Sequence, residues 1–287
     1  MLKTLNSVKQ KNPEDKNPEK RTENGILSVL VHELRNNFSL NLAEIKVTDV
    51  RIGLAYTGVL LSTGYGGVTC TPLYDVSCCS RVFFPETLRN QTADYILELA
   101  LSENHVEAAV GIATLNAFFH MLHGLKMISA PTSDTDILDL INPEDRIAMV
   151  GYFGPLVPKI LKITEKLTVL EKRKIESAEA RTLPSEKAGE ILPASDVIIL
   201  SASTLVNGTF DELLALRGSA REVVLLGPSS PLYPEPFFQR GITAVMGTII
   251  FDPFNMLTIV SEAGGTKKLQ RHCGKKIAFR KMSKKSI

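Results

Sequence analysis

Thiols and imidazoles are the side chains best suited to a soft metal, and this 287-residue chain holds four Cys and five His. Cys70, Cys78 and Cys79 lie close together, while Cys273 stands apart beside His272. A C-x7-C-C spacing is not a zinc pattern, because paired ligands usually sit about two to four residues apart. Adjacent Cys78 and Cys79 cannot chelate one ion without strain, so the cluster reads first as free thiols and second as a weak metal candidate. His120 and His123 share a helix face. That fits paired ligation, and it equally fits a helix end, where cationic side chains are favoured. No Ser-His-Asp order or nucleophile elbow stands out, so the residues leave open whether the chain is an enzyme. Asp75, Glu103, Asp134 and Asp136 read as solvated turn residues or caps.

Oxygen and backbone donors are more numerous. Four stretches rich in Gly, Pro, Ser, Thr and Asn follow candidate strands: GYFGPL (151–156), Glu171-Lys172, SASTLVNGT (201–209) and GPSSPLYP (227–234). Glycine permits close backbone approach, and a helix N-terminus offers free N–H groups to an anion. The first stretch is not a GxGxxG fingerprint: Phe153 and Pro155 stand where small residues belong. Pro155 reads as a first-turn helix proline. Glu171 follows Gly151 at about the spacing of a ribose-binding acid. Asn207 or Thr209 suits a helix N-cap. Asn116 sits in the apolar run GIATLNAFF, so its amide needs either backbone partners or a ligand.

The elements that would carry these residues read as two blocks. Leu27, Leu30, Val31 and Leu34 recur at helical spacing. Strands are expected at 47–55 and 57–62, with a third short one at 68–71. Helices are expected at 85–101 and 105–122. Strands then helices make an α+β unit over 25–128, joined by a linker at 129–144. Over 145–265, buried strands at 146–151, 167–171, 196–203, 222–227 and 243–250 alternate with helices at 156–161, 186–192, 209–216, 235–239 and 255–262. That rhythm means a doubly wound, Rossmann-like parallel sheet covered on both faces.

The chain carries 33 Lys/Arg and 31 Asp/Glu, a net of +2 that hides an asymmetry. Residues 266–287 hold nine bases and no acid, while residues 25–265 hold 18 bases against 27 acids. The basic tail reads as a solubilising, partly disordered end. The acidic body argues against nucleic acid, because it repels phosphates. Residues 1–24 are polar, with two Asn-Pro steps, and read as a disordered tail. No apolar run reaches the roughly 18 residues of a membrane span, and the N-terminus lacks a signal peptide's apolar core. A cytoplasmic protein is the expectation. Apolar residues serving a homodimer cannot be separated from core by pattern alone.

GIATLNA, VGYFGPL, the strand ending in Glu171, SASTLVNGTFDELL and VVLLGPSSPLYPEPFFQRGITAVMG occur in that order. Together they resemble the heavy-metal-chelation domain family over about residues 25–265. The resemblance implies a small domain like the enolase N-terminal domain, followed by a Rossmann-like domain. It also implies a site in the cleft between them. Its walls would be Asn116 from the first domain with Gly151, Phe153, Gly154 and Pro155. Glu171, Ser201, Thr204, Asn207, Thr209, Gly227, Pro228 and Ser229 would complete it. Backbone N–H groups around Gly154 and Gly208 would hold an anion, and Glu171 would accept hydrogen bonds or coordinate a cation. These donors are hard oxygens, which suit Mg or Ca better than a soft metal. A soft metal would arrive already chelated, or Cys70, Cys78 and Cys79 would fold into the cleft. The reading is a binder of a small anionic or metal-bearing ligand, with a metal ion or metal chelate ahead of a nucleotide. The alternative is an enzyme using a nucleotide or S-adenosylmethionine-like cofactor, with Glu171 on the ribose. A third reading makes the basic tail a partner contact.

Overall fold

The computed structural model describes residues 21–22, 24–38, 40–73, 87–128, 135–173, 175 and 179–281. Asp75, Cys78, Cys79 and Asp134 lie outside them, as do residues 1–20 of the expected N-terminal tail.

The first half of the chain builds a small antiparallel sheet. Strands β1 (Val47–Ile52), β2 (Tyr56–Leu61) and β3 (Gly66–Cys70) pair in sequence order. Helix α1 (Ile26–Asn36) precedes them, and α2 (Ala93–Glu98) and α3 (His105–Gly124) follow. The expected helix at 85–101 starts late. Asn90 donates to Val47 O, Val47 to Gln91 O and Ala93 to Ile45 O, so this backbone is committed to the β1 edge. Only then does Thr92 cap α2 by accepting from Tyr95 N. Helix α3 is apolar nearly all round and is buried from Val106 to Leu122, as a helix with no polar face must be. Its backbone lies directly on β3. A Cβ at Gly67 would stand 2.2 Å from Ala113 O and 2.3 Å from Ala117 N, so only glycine fits there.

The second half builds a seven-stranded sheet. Its strands are β4 (Ile147–Val150), β5 (Leu167–Leu170), β6 (Arg181–Leu183), β7 (Val197–Ser201), β8 (Glu222–Leu226), β9 (Ala244–Ile250) and β10 (Gly274–Arg280). The spatial order is β10-β9-β8-β7-β4-β5-β6, parallel except for β10. The six parallel strands thus follow the 3-2-1-4-5-6 order of a doubly wound sheet. The connecting helices are α4 (Val157–Leu161), α5 (Ala188–Ile191), α6 (Ser203–Val206), α7 (Phe210–Ala215), α8 (Glu235–Gln239), α9 (Pro253–Ser261) and α10 (Thr266–His272). Successive strand residues alternate between two cores. Ala148, Ile198, Val223 and Val245 join α1, α3 and α7 in one. Met149, Ile199, Val224 and Met246 join α4 in the other. A third cluster unites the sheets: Tyr56, Leu60 and Val68 meet Met256, Leu257 and Val260 of α9. Strand β2 is consequently buried at every position, between α3 and α9.

Two expectations about the ends are corrected. Residues 266–280 are not a disordered basic end: they form α10 and β10. Gly274, Ala278 and Phe279 are buried, while Lys275 and Lys276 face solvent, as lysines commonly do on an edge strand. Arg280 grips the buried Glu222 with two hydrogen bonds of 2.6 and 2.7 Å. At the other end Arg21 is held rather than free. Its amide donates to Leu101 O at 2.8 Å and its guanidinium to Ser102 O, Leu205 O and Val206 O. Close by, the Asp211 carboxylate accepts Ile26 N at the start of α1, tying that helix to α7.

Candidate functional site

Strands β4 and β7 are neighbours, yet their connections leave in opposite directions, which opens a crevice at their C-terminal ends. A cleft of about 780 Å³ lies there, a size suited to a small organic ligand. Its floor comes from the strand ends. Gly151 leaves β4 at φ +88°, and a Cβ there would stand 2.9 Å from Ser201 Cβ, so glycine keeps the crevice open. Glu171 directly follows β5 with its carboxylate largely buried. It accepts Tyr152 N at 3.1 Å, Lys172 N at 2.9 Å and Arg173 N at 3.3 Å, pinning two loops at once. Beyond β7, the Ser201 and Ser203 hydroxyls share a 2.8 Å hydrogen bond, and Thr204 Oγ1 donates to Ser201 O. Asn207 Oδ1 accepts both Thr209 N and Thr209 Oγ1, shaping the turn into α7. The Arg21 guanidinium braces that turn from behind.

The facing wall comes from the small sheet: Leu54 and Ala55 from the β1–β2 turn, and Cys70, Thr71, Pro72 and Leu73 from the exit of β3. Thr71 N donates to Ala55 O, so the two segments make one surface. Burial pushes the Cys70 thiol up to about 11, so it is protonated at neutral pH.

Gly151, Glu171, Ser201, Thr204, Asn207 and Thr209 therefore come together in the cleft, with Cys70 opposite. Other expected residues go elsewhere. Asn116 is buried in the seam between the sheets, its amide donating to Val68 O at 2.8 Å and Ser229 O at 3.3 Å. The Ser229 hydroxyl accepts Cys70 N at 2.7 Å. The turn of Gly227, Pro228 and Ser229 thus serves that seam. Phe153 packs on the core beside α4, because an aromatic ring gains more there than at a wet rim. Gly154 and Pro155 lie in the turn before α4, where Leu156 N and Val157 N both return to Phe153 O. Those amides are not free for an anion, and Pro158 rather than Pro155 is the first-turn proline. Gly208, at φ +76°, lies under Arg21.

His120, His123 and Cys273 serve the fold. His120 Nδ1 meets Gly66 O at 2.7 Å, and His123 Nε2 meets Leu232 O at 2.6 Å. Burial lowers both, His120 to about 4. Cys273 is buried, and its thiol donates to Leu269 O. Among the described residues, no three of His, Cys, Asp and Glu form a group able to hold a metal ion. Also among them, no helix is long and apolar enough to cross a membrane. Leu54, Leu73 and Ser203 were not expected at the site. Single aliphatic residues in turns carry no ligand signature, and Ser203 lay inside a stretch flagged for its other members.

Residues 135–279 match a family described as "Putative heavy-metal chelation", and residues 35–119 match a second family of the same description. An uncharacterized protein of Methanocaldococcus jannaschii is 26% identical over 233 residues, covering 79% of this chain and 87% of that protein. A crystal structure of a protein of unknown function from Pyrococcus horikoshii superposes with a TM-score of 0.74 at 25% identity, covering 90% of this chain and 100% of that one. One from Desulfitobacterium hafniense superposes with a TM-score of 0.73 at 21% identity, covering 90% and 98%. Both solved proteins carry the name of the family that matches the second half here. The chain belongs to that DUF364 family, described as "Putative heavy-metal chelation".

Proposed function

We propose that the cleft binds a small organic ligand carrying a metal ion, and that the protein handles the metal as a chelate rather than as a bare ion. One observation carries this reading. The cleft presents hydroxyls, a single protonated thiol, the carboxylates of Glu171, Glu186 and Glu212 and the cations Lys172 and Arg173, yet among the described residues no three of His, Cys, Asp and Glu gather closely enough to hold a metal ion. Such a wall recognises the outside of a chelate, whose own atoms supply the inner ligands. A bare soft ion prefers thiolates and imidazoles gathered at bonding distance.

A ligand containing a nucleoside is the second reading. The cleft lies on the β5 side of the switch point, with Glu171 at the strand end where a ribose-binding acid belongs. Two features favour the chelate over it. The Glu171 oxygens already accept three backbone amides. The first helix is the short α4, which begins well past Gly151.

The experiment is elemental analysis by plasma mass spectrometry of tag-free protein prepared without chelators, paired with mass spectrometry of any organic compound released on denaturation. Metal and an organic chelator released together support the proposal. Metal that remains bound after exhaustive removal of small organic compounds contradicts it. Stabilisation by adenosine compounds alone moves the assignment to the second reading.

A further inference from the structure

We infer that the ligand of this cleft is amphipathic, with a flat apolar ring body on one side and anionic groups on the other. The inference rests on the cleft reading above and sharpens it to a chemical class.

The two walls differ in kind. Leu54 is 62% exposed and Leu73 40% exposed, and both line the cleft together with Pro72. Most large aliphatic side chains of this protein are buried in its three cores. Wet leucines gathered at a concave opening mark a surface that awaits a partner. The backbone beside them is hydrogen-bonded, Thr71 N to Ala55 O, which joins the two segments into one wall. A flat ring laid on it would remove the apolar area of both leucines from water, about 25 cal/mol for each Å² covered. A wholly polar chelate such as citrate leaves that area wet.

The opposite side adds polar and charged groups. The linked Ser201 and Ser203 hydroxyls line it with the exposed cations Lys172 and Arg173 and the carboxylates of Glu186 and Glu212, while the Glu171 oxygens are taken by three backbone amides. The two cations beside hydroxyl groups suit a carboxylate or sulfonate on the far edge of the same ligand. The body is therefore placed by the small sheet and the anionic edge by the large one. A ligand that bridges both walls also links the two halves of the chain.

The test uses the full chain and two zinc chelates. The zinc complex of 8-hydroxyquinoline-5-sulfonate is planar, aromatic and anionic, and its fluorescence reports binding. Zinc citrate is anionic with no ring. The wild-type chain is expected to bind the quinoline complex about tenfold more tightly than zinc citrate. Leu54→Ser with Leu73→Ser should erase that preference and leave citrate affinity unchanged. Both positions are exposed, so folding is spared, and a melting curve verifies it. Equal wild-type affinities for the two chelates overturn the amphipathic inference while leaving the chelate reading in place. So does an unchanged preference in the double variant. Failure of both chelates to bind overturns the chelate reading and this inference with it.

Discussion

The Glu171 carboxylate accepts the backbone amide of Tyr152 at 3.1 Å, so the residue that follows β5 fixes the first turn after β4. The same carboxylate accepts two amides of its own loop. Removing it frees both lips of the crevice together. Glu171→Ala should destabilise the fold by about 1–3 kcal/mol, the range for lost hydrogen bonds to a charged group. Glu171→Gln keeps one acceptor oxygen and should recover part of that loss. Urea midpoints of the three chains check the order, and an Ala variant as stable as the wild type refutes the pinning role.

Asn116 should matter for stability and not for affinity. Its amide joins Val68 O to Ser229 O across the seam between the sheets. Asn116→Ala strands two buried carbonyls, and about 2 kcal/mol of stability should go with them. Binding of the zinc quinoline complex, measured below the variant's melting temperature, should be unchanged. A large loss of affinity with unchanged stability would place Asn116 at the ligand instead.

Acid should weaken the fold through His120. Burial holds its imidazole down to about 4, against an ordinary value of 6.5. The unfolded chain therefore takes up a proton that the folded chain refuses as pH falls below about 6.5. Stability present at pH 7 is lost on the way down towards pH 4, by about 2 kcal/mol between pH 7 and pH 5. His120→Asn retains a group for the Gly66 carbonyl and does not titrate. Denaturant midpoints at the two pH values should draw closer together in that variant.

The C-terminal segment should prove indispensable. Glu222 is buried, which alone raises a carboxyl, yet the Arg280 guanidinium, Thr243 and Arg221 outweigh burial and hold it below its ordinary range. Arg280→Ala leaves that charge short of its main partner and should remove about 3 kcal/mol. Because the folded carboxyl lies below its unfolded value, its contribution is complete above the ordinary carboxylate range. It fades as pH falls through the folded value. A chain ended at Gly265 loses β10 and exposes the long edge of β9. Size-exclusion chromatography should find it aggregated. A monomeric, cooperatively melting truncation would return the segment to the status of a dispensable tail.

Arg21→Ala should loosen one wall selectively. The guanidinium holds Leu205 O and Val206 O, directly before the cleft residue Asn207. Hydrogen exchange of amides 205–213 should speed up while those of β4 and β7 stay protected. Uniform protection throughout would show that the turn holds its shape unaided.

The large sheet was legible because its strands are continuous Val/Ile/Leu runs, which only a sheet covered on both faces produces. Its two edge strands, β6 and β10, were not. GKKIAFR carries basic residues through its length, and its partner β9 reads as finished without it. The strand-end loops pointed to Gly151, Glu171, Ser201, Thr204, Asn207 and Thr209, and all six line the cleft. The same composition misled at Gly227–Ser229, whose carbonyls and hydroxyl serve the seam. Composition marks where backbone approaches something closely, and it does not say whether that is a ligand or another strand. Asn116 belongs with this limit, since a buried amide that donates to distant carbonyls looks, along one chain, like an amide that awaits a ligand.

The burial of β2 on both faces has a consequence for how the protein is made. Helix α3, which covers one face, follows soon after the strand, while α9, which covers the other, comes near the C-terminus. During synthesis the small sheet therefore emerges early with Leu60 and Val68 uncovered, and stays so until almost the whole chain has left the ribosome. The first half is then a waiting intermediate rather than an early finished unit, with apolar surface open to aggregation for as long as translation lasts. Slow codons between the halves would prolong that exposure rather than relieve it.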